Sequence, residues 1–211
     1  MVRAMSDYPA PPWETQGYAV FRAYRVPTSA VRLPEGLRPV STRGTSIGLL
    51  GFVRYVDPSP LEYGELIWMP TRVTAAGKSG FYVARMHVDC ERSLAAGREV
   101  WALPKTLARF QEEGDLIRVE TEAGSRFTLR ARAYGLALPA RSTMVTLQAR
   151  EGRAMRFKAS TKARVRLSSL SVEEHVIREP DWESFLAAKP LPAPAIRLER
   201  FETTMQLPEW L

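Results

Sequence analysis

Lys105 is the residue of this sequence whose type and surroundings best suit covalent chemistry. It follows a proline in an apolar run, and it is one of only five lysines among 30 basic residues. Lysine, unlike arginine, can lose a proton when water is removed and can then attack a carbonyl carbon as an amine. The sequence neighbours that could remove water are Trp101, Ala102, Leu103, Pro104 and Leu107. The alternative is a buried stem that carries an ammonium group to the surface.

Glu65 is the second candidate for chemistry. It follows Tyr63 and Gly64 and precedes an apolar stretch. A carboxylate at a pocket edge could transfer protons or orient a carbonyl substrate. The alternative is a surface glutamate at the start of a strand.

The remaining reactive residue types give weaker signals. His87 and His175 lie far apart and in no metal-ligand spacing, so a core or surface position is expected for both. Cys90 lies between Asp89 and Glu91, whose negative charges disfavour a reactive thiolate. No glycine-rich phosphate loop and no serine-hydrolase elbow occurs. We therefore expect neither a metal nor a cofactor.

One segment of the chain resembles a known family. The run Gly97-Arg98-Glu99, followed by Pro104-Lys105, is similar to the signature of the acetoacetate decarboxylase superfamily. The likeness extends upstream through residues 82–99. It also includes Tyr63-Gly64-Glu65 and the turn Leu33-Pro34-Glu35-Gly36-Leu37, and it spans roughly residues 13–135.

The resemblance implies an enzyme that forms a Schiff base between Lys105 and a small keto acid, with Glu65 as a nearby acid or base. Decarboxylation or aldol and dehydration chemistry would follow. The substrate-binding residues that it implies are Tyr63, Arg98, Glu99, Trp101 and Leu103. A structural role is an equal alternative for Arg98 and Glu99, and core packing for Trp101 and Leu103. The resemblance also implies a homo-oligomer, a dimer or larger. Four tryptophans, Trp13, Trp68, Trp182 and Trp210, favour the same prediction, because they are more large apolar residues than one small core requires.

One departure from the family pattern concerns the lysine directly. The decarboxylases proper carry two consecutive lysines after the proline, and this chain has Thr106 at the second position. Acetoacetate decarboxylase is a known case of a lysine activated by desolvation or by a cationic neighbour. Because Thr106 is neutral, only desolvation remains here. The alternative function is a non-catalytic barrel of the same fold that binds a small ligand.

Composition limits the other function classes. The chain of 211 residues is 45% apolar and 25% charged, which is typical of soluble globular proteins. It has no apolar run near the ~18 residues that a spanning helix needs, and no signal-like N-terminus. The single cysteine fits a reducing compartment, so a cytoplasmic location is expected. The net charge of +7 comes from arginines that alternate with apolar residues, as on the solvent face of a strand. We therefore expect no nucleic-acid or membrane partner.

The sequence around the candidate residues predicts mainly strands. After residues 1–14, a proline-containing extended arm, strands are expected at 18–24, 47–56, 63–73 and 81–89. Hairpin-spaced strands follow at 107–111, 116–122, 125–133, 143–149, 155–159 and 161–170. Helical turns are expected near 91–101, and one helix at 181–189. The prediction is one domain over residues 1–211 with a β-dominated α+β fold. Its antiparallel strands would form a curved, double-layered barrel or cone around a central cavity, with few short helices.

Overall fold

The computed structural model describes residues 7–211, except for the side chain of Asp181. In this part of the chain the strands are β1 (Trp13–Pro27), β2 (Arg38–Pro39), β3 (Thr45–Val56), β4 (Tyr63–Met69), β5 (Thr71–Ala75), β6 (Lys78–Tyr82), β7 (Arg85–Val88), β8 (Lys105–Glu113), β9 (Leu116–Thr121), β10 (Arg126–Arg150), β11 (Arg153–Val176), β12 (Lys189–Pro190), β13 (Ala195–Met205) and β14 (Glu209–Trp210). The α-helices are α1 (Glu91–Trp101) and α2 (Glu183–Leu186), and 3-10 turns occupy Thr28–Ala30 and Pro180–Trp182.

The strand pairings form a closed ring. Its order is β1, β3, β4, β7, β8, β9, β10, β11, β13 and back to β1. Every neighbouring pair in the ring is antiparallel except β7 with β8, which helix α1 connects in parallel. Ring closure gives each of these strands a hydrogen-bonded neighbour on both sides over at least part of its length. The predicted fold class, a β-dominated barrel with few short helices, is confirmed.

The long hairpin of β10 and β11 replaces the four shorter strands expected after residue 125. Each strand is interrupted only by register shifts, one of them between Tyr134 and Leu138. Gly135 lies in that shift with a φ of 74°, a left-handed conformation that glycine adopts without strain. Residues 159–168 of β11 also pair with β13, so the expected break near residue 160 would have disrupted two ladders.

Strand β4 separates two packed layers. All seven of its residues are buried, and its side chains alternate between the two faces. Leu66 and Trp68 belong to one apolar cluster, whereas Tyr63, Ile67 and Met69 belong to another. We call the first cluster, which includes Trp182 and Phe185, the filled layer. The chamber described below lies in the second.

The helices differ from the expected turns in length. Residues 91–101 form one continuous helix, α1, rather than a turn followed by a bend. The helix expected at 181–189 is short, because Lys189–Pro190 pairs with β1 as strand β12. The extended arm is shorter than expected, since β1 begins at Trp13. Its first six residues lie outside the described part, so the single-domain boundary of 1–211 stays a prediction.

Tryptophan burial bears on the expected assembly. Trp13, Trp68 and Trp182 are buried within the chain itself, and Trp210 is 45% exposed. The first three therefore serve the protein's own core, and the homo-oligomer stays a prediction. Among the described residues, no helix has the length and apolarity needed to cross a membrane.

Candidate active site

Lys105 is the first residue of β8, and its side chain is buried with only 3% exposed. Its amine contacts three polar groups. Nζ lies 3.0 Å from Oε2 of Glu65, donates to Oγ of Ser93 at 2.8 Å, and lies 3.4 Å from the hydroxyl of Tyr63. Glu65 is also 3% exposed. The side chain of Lys105 therefore does not carry its ammonium group to the surface, which was the alternative.

The end of helix α1 positions this lysine. Ala102 adopts a left-handed conformation, with φ 52°, and the amides of Ala102 and Leu103 both donate to the carbonyl of Gly97. Such a C-cap satisfies carbonyls at the helix end and turns the chain sharply. Leu103 and Pro104 then lead directly into β8, where Lys105 aligns with Met86 of β7.

Gly97 gives the lysine stem its space. A Cβ atom at this position would lie 2.5 Å from Cδ and 2.7 Å from Cε of Lys105. The buried face of α1 carries Ser93 and Gly97 one turn apart. One helix therefore supplies both the channel for the lysine stem and a hydrogen-bond acceptor for its amine.

Arg98 and Glu99 lie outside the chamber. Nε of Arg98 donates to the carbonyl of Lys105 at 2.8 Å. The Glu99 carboxylate accepts a hydrogen bond from the hydroxyl of Tyr8, and Arg150 donates to the carbonyls of both residues. Their positions therefore support the alternative of a structural role for Arg98 and Glu99 rather than a substrate contact.

Two tyrosines complete the polar end of the site. The rings of Tyr55 and Tyr63 lie 4.5 Å apart, and the Tyr55 hydroxyl donates to Oε1 of Glu65 at 3.4 Å. Burial, and then the negative charge of Glu65, raises the pKa of each tyrosine well above its usual value. Both hydroxyls therefore keep their protons at neutral pH and can act as neutral donors.

These groups face an apolar chamber of about 210 Å³. Trp101 and Leu103 form part of its wall. The other aromatic and sulfur-containing walls are Trp13, Phe21, Phe157, Phe201, Met69, Met86, Met144 and Met205. Among the residues that line it, Glu65 and Lys105 are the only charged ones.

Thr106 lies on the opposite face of β8. Its hydroxyl oxygen lies 2.7 Å from Nδ1 of His87, in the filled layer. Side chains of successive strand residues point to opposite faces. The residue after Lys105 is therefore directed away from the amine in this chain.

Three members of the site were not recognised in the sequence. They are Ser93, Tyr55 and, for its role beside the lysine stem, Gly97. Recognising α1 as one helix would have placed Ser93 and Gly97 on the same face, because they are four residues apart. No group of three or more metal-ligating side chains occurs among the described residues.

A family model described as acetoacetate decarboxylase matches residues 3–176. The chain belongs to the acetoacetate decarboxylase family. Two curated relatives are both called Protein NEOXANTHIN-DEFICIENT 1. The Arabidopsis thaliana protein is 28% identical over 112 residues, which are 52% of this chain and 40% of the relative. The Solanum lycopersicum protein is 26% identical over 125 residues, 58% of this chain and 42% of the relative. The chain thus matches less than half the length of each.

Solved structures show the same fold. Acetoacetate decarboxylase from Legionella pneumophila superposes with a TM-score of 0.64 at 17% identity, covering 98% of this chain and 91% of that one. The enduracididine biosynthesis enzyme MppR, complexed with pyruvate, gives 0.61 at 15% identity, with coverage of 98% and 93%. An acetoacetate decarboxylase-like enzyme from Sphingomonas wittichii RW1 gives 0.65 at 13% identity, with coverage of 96% and 94%. The acetoacetate decarboxylase fold therefore hosts the chamber and its lysine.

Proposed function

We propose that this protein is an enzyme that forms a Schiff base between Lys105 and a carbonyl compound, the small keto acid of the family resemblance being the starting hypothesis. The observation that carries the proposal is the enclosed pair of Lys105 and Glu65, with 3.0 Å between Nζ and Oε2. An amine at the wall of an apolar chamber is shielded from water and can meet a carbonyl carbon that the same walls hold in place.

The pair carries the protons that imine formation needs. Proton transfer from the ammonium of Lys105 to Glu65 gives a neutral amine and a neutral carboxylic acid. The amine adds to the carbonyl carbon, and a proton moves from nitrogen to oxygen to give a carbinolamine. Glu65 then protonates the hydroxyl group, which leaves as water. The products are a protonated imine on Lys105 and the carboxylate of Glu65, so charge and protons balance.

The neighbouring hydroxyls favour this sequence of steps. Ser93 orients the amine through its 2.8 Å contact with Nζ. Tyr63 lies 3.4 Å from Nζ and can donate to the oxygen on which negative charge develops. The protonated imine then accepts electrons, so that a bound substrate could lose carbon dioxide or an α-proton, and Glu65 is positioned to accept that proton.

Reductive trapping tests the proposal. The protein is incubated separately with pyruvate, with acetoacetate and with neutral ketones, each with a borohydride reagent, and any adduct is mapped by peptide mass spectrometry. We expect a mass increase equal to the carbonyl compound less one oxygen atom, located at Lys105. Lys105→Arg should remove the adduct, because a guanidinium is not a nucleophile. Lys78→Arg, which removes an exposed lysine, is the matched control and should leave the adduct intact.

The outcomes separate the two candidate functions. Adduct on Lys105 supports the enzyme, whereas an unchanged adduct in Lys105→Arg would identify a different nucleophile. A complete lack of adduct with any carbonyl compound would favour the non-catalytic ligand-binding barrel.

A further inference from the structure

We propose that the chamber selects an uncharged, largely apolar carbonyl compound and excludes keto acids. The inference rests on the proposed function, because it concerns the substrate of the same lysine. It replaces the small keto acid that the family resemblance suggests with a neutral carbonyl compound, and it is drawn from the charges and walls of this chain's own chamber.

With Glu65 ionised, the charges in the chamber balance for a neutral substrate. Lys105 and Glu65 are the only charged residues in its lining, and each side chain is at most 4% exposed. When Lys105 becomes a protonated imine, its positive charge still offsets the carboxylate of Glu65. A keto acid would add a second negative charge, which either has no cation left to pair with it or requires Glu65 to take up a further proton and give up its role as a carboxylate. An uncompensated buried charge is strongly unfavourable.

The position of that added carboxylate is restricted by the substrate's own bonds. In 2-oxo and 3-oxo acids the carboxylate lies one or two carbons from the carbonyl carbon that Lys105 attacks. It must therefore enter the region around Nζ, where Oε2 of Glu65 already lies 3.0 Å away. The hydroxyls of Ser93 and Tyr63 are the other polar groups beside Nζ, and both are neutral.

Two other cations line an adjoining cavity. A polar cleft of about 670 Å³ contains Arg141 and Lys162, and neither of these residues lines the chamber. The two cavities share Ser142, Thr161 and Thr203. Neutral hydroxyl-bearing residues thus form the boundary, with Oγ1 of Thr161 2.8 Å from Oγ1 of Thr203.

The walls of the chamber suit the hydrocarbon part of an apolar substrate. Met69, Met86, Met144 and Met205 line the chamber, which is four of the seven methionines of the chain. Methionine is flexible and polarisable, so it adapts to irregular or unsaturated apolar groups. Burial of the substrate's apolar surface would supply the binding energy, while the carbonyl group alone would engage Lys105.

Matched carbonyl compounds test the proposal on the intact protein. The probes are 2-oxooctanoate, its methyl ester and 2-octanone, each with cyanoborohydride at the same concentration and pH. The initial rate of adduct formation on Lys105 is measured by intact mass and peptide mapping. Each rate is divided by the rate of the same compound with butylamine, which removes differences in intrinsic reactivity. Lys105→Arg gives the background.

The expected result is a corrected rate for the ester and for 2-octanone at least about tenfold above that of 2-oxooctanoate, owing to the unpaired charge. A corrected rate for 2-oxooctanoate equal to or above that of both neutral compounds would overturn the substrate assignment and leave the Schiff-base function standing. No Lys105 adduct with any of the three would instead contradict the proposed function itself.

Discussion

The two faces of strand β4 are both buried, yet they serve different purposes. On one face, Leu66 and Trp68 pack in the filled layer, where Nε1 of Trp68 donates to Oγ of Ser184 at 2.9 Å. On the other, Glu65 and Ile67 line the apolar chamber. One seven-residue strand therefore contributes to a close-packed core and to a hollow site, and the alternation of its side chains keeps the two apart.

Strands β7 and β8 repeat this division. Met86 and Lys105 face the chamber, whereas His87 and Thr106 meet each other in the filled layer. The ring of His87 stacks on Trp182 with 5.5 Å between the ring centres. The sheet itself therefore separates Lys105 from His87, and we expect substitutions on one face to leave the other face largely unchanged.

The largest expected effect on stability comes from shortening one side chain on each face of β4. Leu66→Ala should lower the free energy of unfolding by about 4 kcal/mol, because the filled layer cannot close over the cavity that forms. Ile67→Ala should cost only about 2 kcal/mol, since it enlarges a chamber that is already open. Urea denaturation of both variants measures the difference.

The two substitutions are controls for each other, because each replaces a four-carbon side chain with the methyl group of alanine. Equal losses of stability would contradict the distinction between a filled layer and a hollow one.

A second test concerns His87 in the filled layer. Burial lowers the pKa of His87 to about 4, with Glu179 opposing part of the shift. Between about pH 6.5 and 4 the unfolded chain therefore holds a proton that the folded chain does not. Stability should fall as pH falls through this window, by about 3 kcal/mol in total from this residue. Unfolding free energies measured at several pH values give the slope.

His87→Gln should flatten that slope relative to the parent protein, because the glutamine does not titrate and can still bond Thr106. His175→Gln, at the exposed second histidine, is the matched control and should keep the slope. A slope that survives in His87→Gln would assign the pH dependence to other groups.

The third test concerns Gly97 of helix α1, which lies beside the side chain of Lys105. Gly97→Ala places a Cβ atom 2.5 Å from Cδ of Lys105, so the lysine stem must move. A displacement near 1 Å can cost about 100-fold in rate, and we expect trapping on Lys105 to slow by about that factor. Stability should hold or rise, since alanine favours a helix interior over glycine by ~1 kcal/mol. Rapid-quench trapping and thermal unfolding of the same sample measure both.

Adduct formation at the parental rate in Gly97→Ala would show that the glycine does not set the position of the lysine. A loss of both stability and trapping would instead indicate that the helix end has been disrupted.

The sequence was informative about the lysine and its walls because those signals are local. Lys105, Leu103 and Trp101 lie within five residues of one another, and the resemblance supplied Glu65 and Tyr63. The fold class followed from hairpin spacing and from the same resemblance. In the structure these five residues surround one chamber.

The features of the site and of the fold that were not predicted depend on pairings between segments distant in sequence. Ser93 reaches Nζ only because α1 connects β7 to β8 in parallel, an arrangement without a local sequence signal. Tyr55 meets Tyr63 through the antiparallel pairing of β3 with β4. The continuity of β11 depends on β13, its second partner, which lies beyond residue 190.

The placement of β13 between β1 and β11 also sets the order in which the protein can assemble. Thr15 and Thr203 meet across a separation of 188 residues, and contacts so distant in sequence form slowly because a long loop must close first. Strand β13 contributes Phe201 and Met205 to the wall of the chamber. Until residues 195–205 have been synthesised, β1 lacks the partner that pairs with one of its two edges. The chamber that encloses Lys105 is therefore complete only when the last strand of the ring is in place.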